Sequence, residues 1–200
     1  MNGPSHPEFL RNKLANTSLS ELVFSQVEAF AFWLVGGLPG LLGFAARFMA
    51  GKLLFKRLSG FCWIQPGVTI VNANRLSIGR HFGCNTGTYI NAFGGIEMGD
   101  YVLIGSNVTI SAGMHEIEGE EPPVFARPSV PKAIHIEDDV WIGAGAVILP
   151  GVVLRRGSVI GANSVVANDT EEYSVNVGAP ARKIRTRRAA APAVPGGSGE

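Results

Sequence analysis

The sequence predicts an all-β fold, a parallel β-helix of triangular coils, preceded by an α-helical hairpin and interrupted by one long extruded loop. Three observations carry this prediction. Aliphatic residues recur at every sixth position, at Ile136, Ile142, Ile148, Leu154, Ile160 and Val166, a period of neither a helix nor a simple alternating strand. Four positions after the rungs stand Val140, Ala146, Val152, Ser158 and Ser164, all small or branched. The same ladder runs earlier through Ile64, Ile70 and Leu76, then Ile78, Cys84, Ile90 and Ile96, then Met98, Ile104 and Ile110, slipping by two between runs. The third observation is a gap: from Glu116 to Lys132 no rung occurs, and Glu and Pro crowd the segment. A period of this kind marks a coil in which each hexapeptide forms one short flat side.

The elements follow in chain order. Residues 1–17 are polar and form a flexible N-terminus. Residues 18–58 are an apolar helical hairpin, opening on Ser18-Leu-Ser-Glu21, which matches a capping box. The run Gly36-Gly37-Leu38-Pro39-Gly40 breaks the helix, because glycine lowers helix propensity and proline lacks an N–H. A second helix restarts at Pro39 and ends in the basic residues Lys52, Lys56 and Arg57. Residues 59–184 form the β-helix, with a loop at 116–133. Met98 to Ile136 spans thirty-eight residues, two eighteen-residue coils plus two. The rungless stretch reads as a loop thrown out after His115 and rejoining near Ile134, and long loops on rigid bodies usually carry function. Residues 185–200 read as a disordered tail, basic and then rich in Ala, Pro and Gly.

Residues 29–46 carry no charge. A straight transmembrane span needs roughly twenty apolar residues, and the breaker lies at the centre of this stretch. Two readings remain: a re-entrant or surface-lying hairpin with Trp33 and the basic residues at the membrane interface, and a hairpin packed on the β-helix or on a neighbouring subunit.

The net charge of +1 hides an acidic middle between two basic ends. No basic stripe follows the body, which argues against a nucleic-acid surface. An anionic ligand belongs near the C-terminal end. Cys62 and Cys84 form no CxxC pair and imply no disulfide framework, which suits a reducing compartment. No secretory h-region opens the chain. His6 and His135 read as surface residues. His81, His115 and His135 lack the close pair on one loop that a three-histidine zinc site needs, so no metal is expected.

Three segments carry a family resemblance. Asp100 to His115 (DYVLIGSNVTISAGMH) precedes the loop; Ile136 to Gly151 (IEDDVWIGAGAVILPG) and Val177 to Ile184 (VGAPARKI) follow it. Together they resemble the hexapeptide-repeat acyltransferases of the galactoside and maltose acetyltransferase type, with a closer likeness to the colanic-acid and capsular-polysaccharide O-acetyltransferases. The resemblance covers roughly residues 60–185. It implies a left-handed β-helix, a homotrimer, and acyl-CoA bound between neighbouring subunits. The general right-handed rule for parallel crossovers would point the other way.

The resemblance assigns roles residue by residue. His115 stands where the family has its catalytic histidine, a general base that takes the proton of an acceptor hydroxyl as the oxygen attacks the acetyl thioester. Glu116 is a candidate orienting or acceptor-side group, alongside a backbone carbonyl. Asn85 matches an acceptor-contacting asparagine; its alternative is a turn residue satisfying its own backbone. Asn91 is a second candidate. Trp141, Ala144, Gly161 and Ala162 match the acyl-CoA groove, where small residues let backbone approach a ligand, although such residues also serve the coil alone. Arg182 and Arg185 match positions that meet the CoA phosphates, and Lys183 adds to that cluster. Asn168 stands where relatives often carry Lys.

The resemblance implies acetyl-CoA as co-substrate and O-acetyl transfer to a sugar, on a polysaccharide or lipid-linked glycan precursor. The apolar hairpin departs from the family's small-sugar members and would place the enzyme in the cytoplasm, at the inner face of the cytoplasmic membrane. Transfer to an amino sugar, and a non-catalytic β-helix scaffold, are the alternatives.

Overall fold

The computed structural model describes residues 18–187; the expectations for residues 1–17 and for the tail beyond 187 lie outside them. Each six-residue step puts one rung on a short strand, and three strands close a coil. Stacked coils make three parallel sheets. Face A runs β1 (Arg57–Leu58), β4 (Leu76–Ile78), β7 (Ile96–Met98), β12 (Ile134–Ile136) and β15 (Val153–Leu154). Face B runs β2 (Cys62–Ile64), β5 (Phe82–Cys84), β8 (Leu103–Ile104), β13 (Trp141–Ile142), β16 (Val159–Ile160) and β18 (Ser174–Val177). Face C runs β3 (Thr69–Val71), β6 (Tyr89–Asn91), β9 (Thr109–Ser111), β14 (Val147–Ile148) and β17 (Val165–Val166).

Register stacks rung on rung. Ile64, Cys84, Ile104, Ile142 and Ile160 form one inward column. Ile70, Ile90, Ile110, Ile148 and Val166 form another. All are buried, and each large aliphatic side chain withdrawn from water contributes roughly 1.5–3 kcal/mol before chain entropy is counted.

The two-residue slips have a structural cause. Eight residues separate Ile70 from Ile78 and Ile90 from Met98, against six from Ile148 to Leu154. The extra residues all fall at the corner where face C turns into face A. In the first coil that corner is a 3-10 turn, Ala73–Arg75. In the third it grows into the whole excursion. Met98 pairs directly with Ile136, so the thirty-eight residues between them make one coil with an insertion, where length alone suggested two.

A stacked coil leaves its first strands with unpaired edge groups, and buried backbone groups need partners. The helical hairpin supplies them. Helix α1 (Leu19–Gly36) opens on the expected capping box: Glu21 N–H donates to Ser18 Oγ, and Ser18 N–H donates to Glu21 Oε2, both at 3.2 Å. Ser18's backbone N–H first, and then its hydroxyl donating to the same oxygen at 3.1 Å, hold the Glu21 carboxyl below its ordinary pKa. The buried Glu28 accepts from Asn72 N–H (3.2 Å) and from Ala73 N–H at the first coil's wide corner. Burial pushes its pKa up, against the two N–H groups that lower it.

Helix α2 (Gly40–Leu54) follows Pro39. Its Arg47 is 1% exposed and donates to the Ile64 carbonyl (2.8 Å), the Leu38 carbonyl (2.7 Å) and the Val35 carbonyl (3.1 Å). One side chain thereby closes the C-terminal end of α1 and the first strand of face B, and a cation suits a helix C-terminus. Phe44 of the same helix stacks on Trp63 at 3.9 Å. The inner face of the hairpin therefore packs on the solenoid. Its outer face exposes Leu19, Val23, Val27, Phe30, Trp33, Leu34, Leu41 and Leu42.

The other end is covered by β19 (Arg182–Thr186), antiparallel to β18. Residues 185–187, expected to begin the disordered tail, are ordered instead. Arg185 pairs with Val175, and Arg187 bonds the Asp139 carboxylate at 2.8 Å. The open end of the last coil needs a strand, and these residues provide it.

Candidate active site

The excursion is a structured ribbon. Strand β10 (Gly113–His115) pairs antiparallel with β11 (Ser129–Pro131), setting His115 opposite Ser129. Departure therefore begins at Gly113, two residues ahead of His115, because Ala112 is the last buried residue of that side. Arg127 holds the far part together: its guanidinium donates to the Glu118, Gly119 and Pro122 carbonyls, each at 2.6 Å. His115 is exposed at the end of β10. Among the described residues, none hydrogen-bonds its imidazole. Glu116, the adjacent candidate, spends Oε1 on the Ile117 and Glu118 N–H groups, both at 3.1 Å. That oxygen shapes the turn after β10, and no hydrogen bond joins Glu116 to His115 among the described residues.

The remaining candidates gather elsewhere. Asn85 follows β5 at the corner between faces B and C, where its Nδ2 donates to the Ile104 carbonyl at 3.0 Å. Trp141 projects from face B between Leu103 and Val159 of the flanking coils and is 52% exposed. Ala144 and Ala162 occupy successive turns of the same B–C corner, joined by Asn163 N–H donating to the Ala144 carbonyl at 2.9 Å. Gly161 lies beside them, its N–H on the Asn176 carbonyl at 2.8 Å. At the end of this strip Arg182 and Lys183 line a cleft of 300 Å³ with Asn168 and Asn176. Lys183 is paired with Glu171; among the described residues Arg182 and Arg185 make no ion pair.

One chain thus presents two groups of residues on different edges of the prism. His115, Glu116 and Asn91 lie at the C–A corner, while Asn85, Trp141, Ala144, Gly161 and Ala162 lie along face B and the B–C corner. Face C separates them. Asn91 is further tied down, because its Oδ1 accepts from Asn72 Nδ2 (2.8 Å) and Phe93 N–H (3.1 Å).

A cleft of 520 Å³ escaped the sequence reading. Phe61, Trp63, Gly83 and Leu103 line it, with Arg80 and His81 among its other residues. Arg80 is bound to Asp100 through Nε (2.9 Å) and Nη2 (2.6 Å), which raises the arginine's pKa and lowers the aspartate's. His81 stacks on Tyr101 at 4.6 Å. The signal was present: Trp63, Gly83, Leu103 and Trp141 each immediately precede a face B rung, so they form one outward row that runs from this cleft to Trp141.

The cysteines take no part. Burial pushes the Cys62 thiol up to about 11 and the Cys84 thiol up to about 12, which leaves little nucleophilic thiolate near neutral pH. Among the described residues no cluster of three His, Cys, Asp or Glu side chains could hold a metal ion.

Known proteins share this fold. Residues 133–168 match the bacterial transferase hexapeptide model, six repeats. The galactoside O-acetyltransferase of Escherichia coli K12 is 37% identical over 134 residues, covering 67% of this chain and 65% of that protein. The chain therefore spans slightly less than two thirds of that relative. A Saccharomyces cerevisiae protein named as an acetyltransferase is 34% identical over 136 residues, covering 66% of this chain and 68% of that protein. The structure of a hexapeptide-repeat acetyltransferase from Vibrio cholerae O1 biovar eltor, complexed with acetyl-CoA, superposes with a TM-score of 0.78 and 27% identity, over 86% of this chain and 92% of that one. Ladder, left-handed β-helix and matched residues agree, and the chain belongs to the hexapeptide-repeat acetyltransferases.

Proposed function

We propose that the protein transfers an acetyl group from acetyl-CoA to a sugar hydroxyl, with His115 as general base, at sites formed between the subunits of a homotrimer. The separation of the two residue groups carries the assembly. His115 stands exposed on one edge, the Trp141–Ala162 strip on another, and face C keeps them apart within one chain. A head-to-tail contact between copies joins the two edges, and such contacts close into rings.

The strip suits an extended thioester donor. Exposed Trp141 offers an apolar face, the turns at Ala144 and Ala162 leave backbone accessible, and Arg182 and Arg185 are available for phosphate. His115 takes the proton of the acceptor hydroxyl as that oxygen attacks the thioester carbonyl, then returns it to the departing thiolate. A sugar acceptor is supported by the E. coli relative, named for galactosides.

The outer face of the hairpin supports a further part of the reading, membrane attachment. α1 is 18 residues long with a mean hydropathy of 1.3, and its outward stripe has no cover among the described residues. A surface-lying hairpin would hold the enzyme at the cytoplasmic face of the membrane beside a lipid-linked or polysaccharide precursor. Reduced Cys62 and Cys84 fit that compartment.

Two measurements test these readings. Intact-mass analysis of a panel of galactosides, maltose, amino sugars and lipid-linked sugars, incubated with enzyme and acetyl-CoA, should show the mass of one acetyl group, base-labile as an ester. A base-stable amide on amino sugars alone would replace O- with N-transfer. The full chain should float with phosphatidylglycerol-containing vesicles, and Leu42→Glu should reduce flotation several-fold; a wild-type chain that stays at the bottom of the gradient disproves attachment.

A further inference from the structure

The C–A corner stacks three features in successive coils: the 3-10 turn Ala73–Arg75, the segment 91–95, and the ribbon bearing His115. The middle segment is a pedestal. A methyl group on Gly94 would lie 2.3 Å from the Ala112 carbonyl oxygen and 2.5 Å from Lys132 N, so both legs of the ribbon rest on this glycine. Lys132 N–H donates to the Ala112 carbonyl at 3.0 Å, closing the legs. A methyl group on Gly113 would stand 2.7 Å from Phe93 Cδ1, so the Phe93 ring supports the first residue of β10.

The pedestal is in turn held from helix α1. Arg75 Nη1 donates to the Phe93 carbonyl at 2.7 Å, and its guanidinium lies 5.7 Å from the Phe93 ring centroid. Arg75 Nη2 donates to Glu21 Oε1 at 3.0 Å. The chain of contacts Glu21, Arg75, Phe93, Gly113 thus runs from the first turn of α1 to the strand that carries His115. The Glu21 contact is exposed and weak as an ion pair; the charge-assisted bond to a backbone carbonyl and the ring contact do the holding.

We infer that Arg75 is a positioning residue for His115, fixing the root of β10 through Phe93. The inference rests on the reading of His115 as general base. Without Arg75 the Phe93 ring loses its cover and the Phe93 carbonyl its donor, and the ribbon turns about Gly113. A base displaced by about 1 Å can lose up to roughly 10²-fold in rate.

The experiment compares wild type, Arg75→Ala, Arg75→Lys and Glu21→Gln, using acetyl-CoA and methyl β-galactoside as probes, together with hydrogen exchange. Arg75→Ala should lower kcat about tenfold with KM for acetyl-CoA unchanged, and should speed amide exchange over residues 113–131 while the coils of face B keep their protection. Arg75→Lys should recover part of the rate. Glu21→Gln, which leaves the core untouched, should show the same signature at smaller amplitude. In a His115→Ala background Arg75→Ala should change the residual rate no further. Unaltered ribbon exchange, or an equal rate loss in that background, overturns the inference. Full activity of His115→Ala alone would sink the general-base reading instead, and the exchange measurement would still decide whether Arg75 holds the ribbon.

Discussion

Replacing His115 with alanine should slow acetyl transfer by roughly 10²–10⁴-fold, the range a positioned general base contributes, while acetyl-CoA binding measured by calorimetry stays within about twofold. The imidazole is exposed on β10 and makes no hydrogen bond among the described residues, so the substitution should leave the fold intact. The same variant tests the architecture of the site. Ala162→Trp, at an exposed turn on the other edge, should block the strip without disturbing His115. Subunits of the two inactive variants, mixed one to one and allowed to exchange, should regain about a quarter of the wild-type sites, because each site takes its base from one subunit and its strip from the next. A mixture as inactive as its parents would mean that each chain builds its own site.

Arg47→Ala should cost about 3 kcal/mol, since it leaves three carbonyls of the hairpin and first coil without their charged donor. Each kcal/mol moves Tm by roughly 2–4 °C at this size, so the midpoint should fall by roughly 6–12 °C in thermal unfolding at fixed protein concentration. Arg47 is 1% exposed and donates to the Val35, Leu38 and Ile64 carbonyls, and the Ile64 bond is the fully buried one, so its loss carries most of the cost. Arg47→Lys can restore one or two of the bonds and should lose less. A Tm within about 2 °C of wild type for the alanine variant would show that the hairpin is held by its apolar contacts alone, those of Phe44, Leu54 and Phe55.

The ladder was legible because each rung is a local statement. A six-residue spacing that places Ile142 over Ile160 needs no knowledge of the rest of the chain, and the paired register confirms it. The capping box at Ser18 was legible for the same reason, since both partners lie within one turn. The interruptions were harder. A two-residue slip has no place in a uniform prism, yet nothing local says that Leu76–Ile78 and Ile96–Met98 both follow one widened corner. That corner lies under the ribbon only once the coils are stacked.

The candidate site shows the same division. His115 was found through a family motif, and its place at the edge of an excursion follows from the missing rungs. Glu116 adjoins His115 in sequence, but its carboxylate turns to the next two N–H groups, a preference that sequence order does not reveal. Lys183 joins Arg182 and Arg185 by charge along the sequence, and the fold brings Glu171, from the turn before β18, to it.

The residue order settles the period, the capping signal, the acidic loop and the basic end, because those are properties of neighbours along the chain. Stacking decides which corner each feature occupies: face C lies between His115 and the strip, and Phe93 comes to rest beneath Gly113. Such relations join residues twenty or more positions apart through packing and shared hydrogen bonds, and they exist only when the coils are closed.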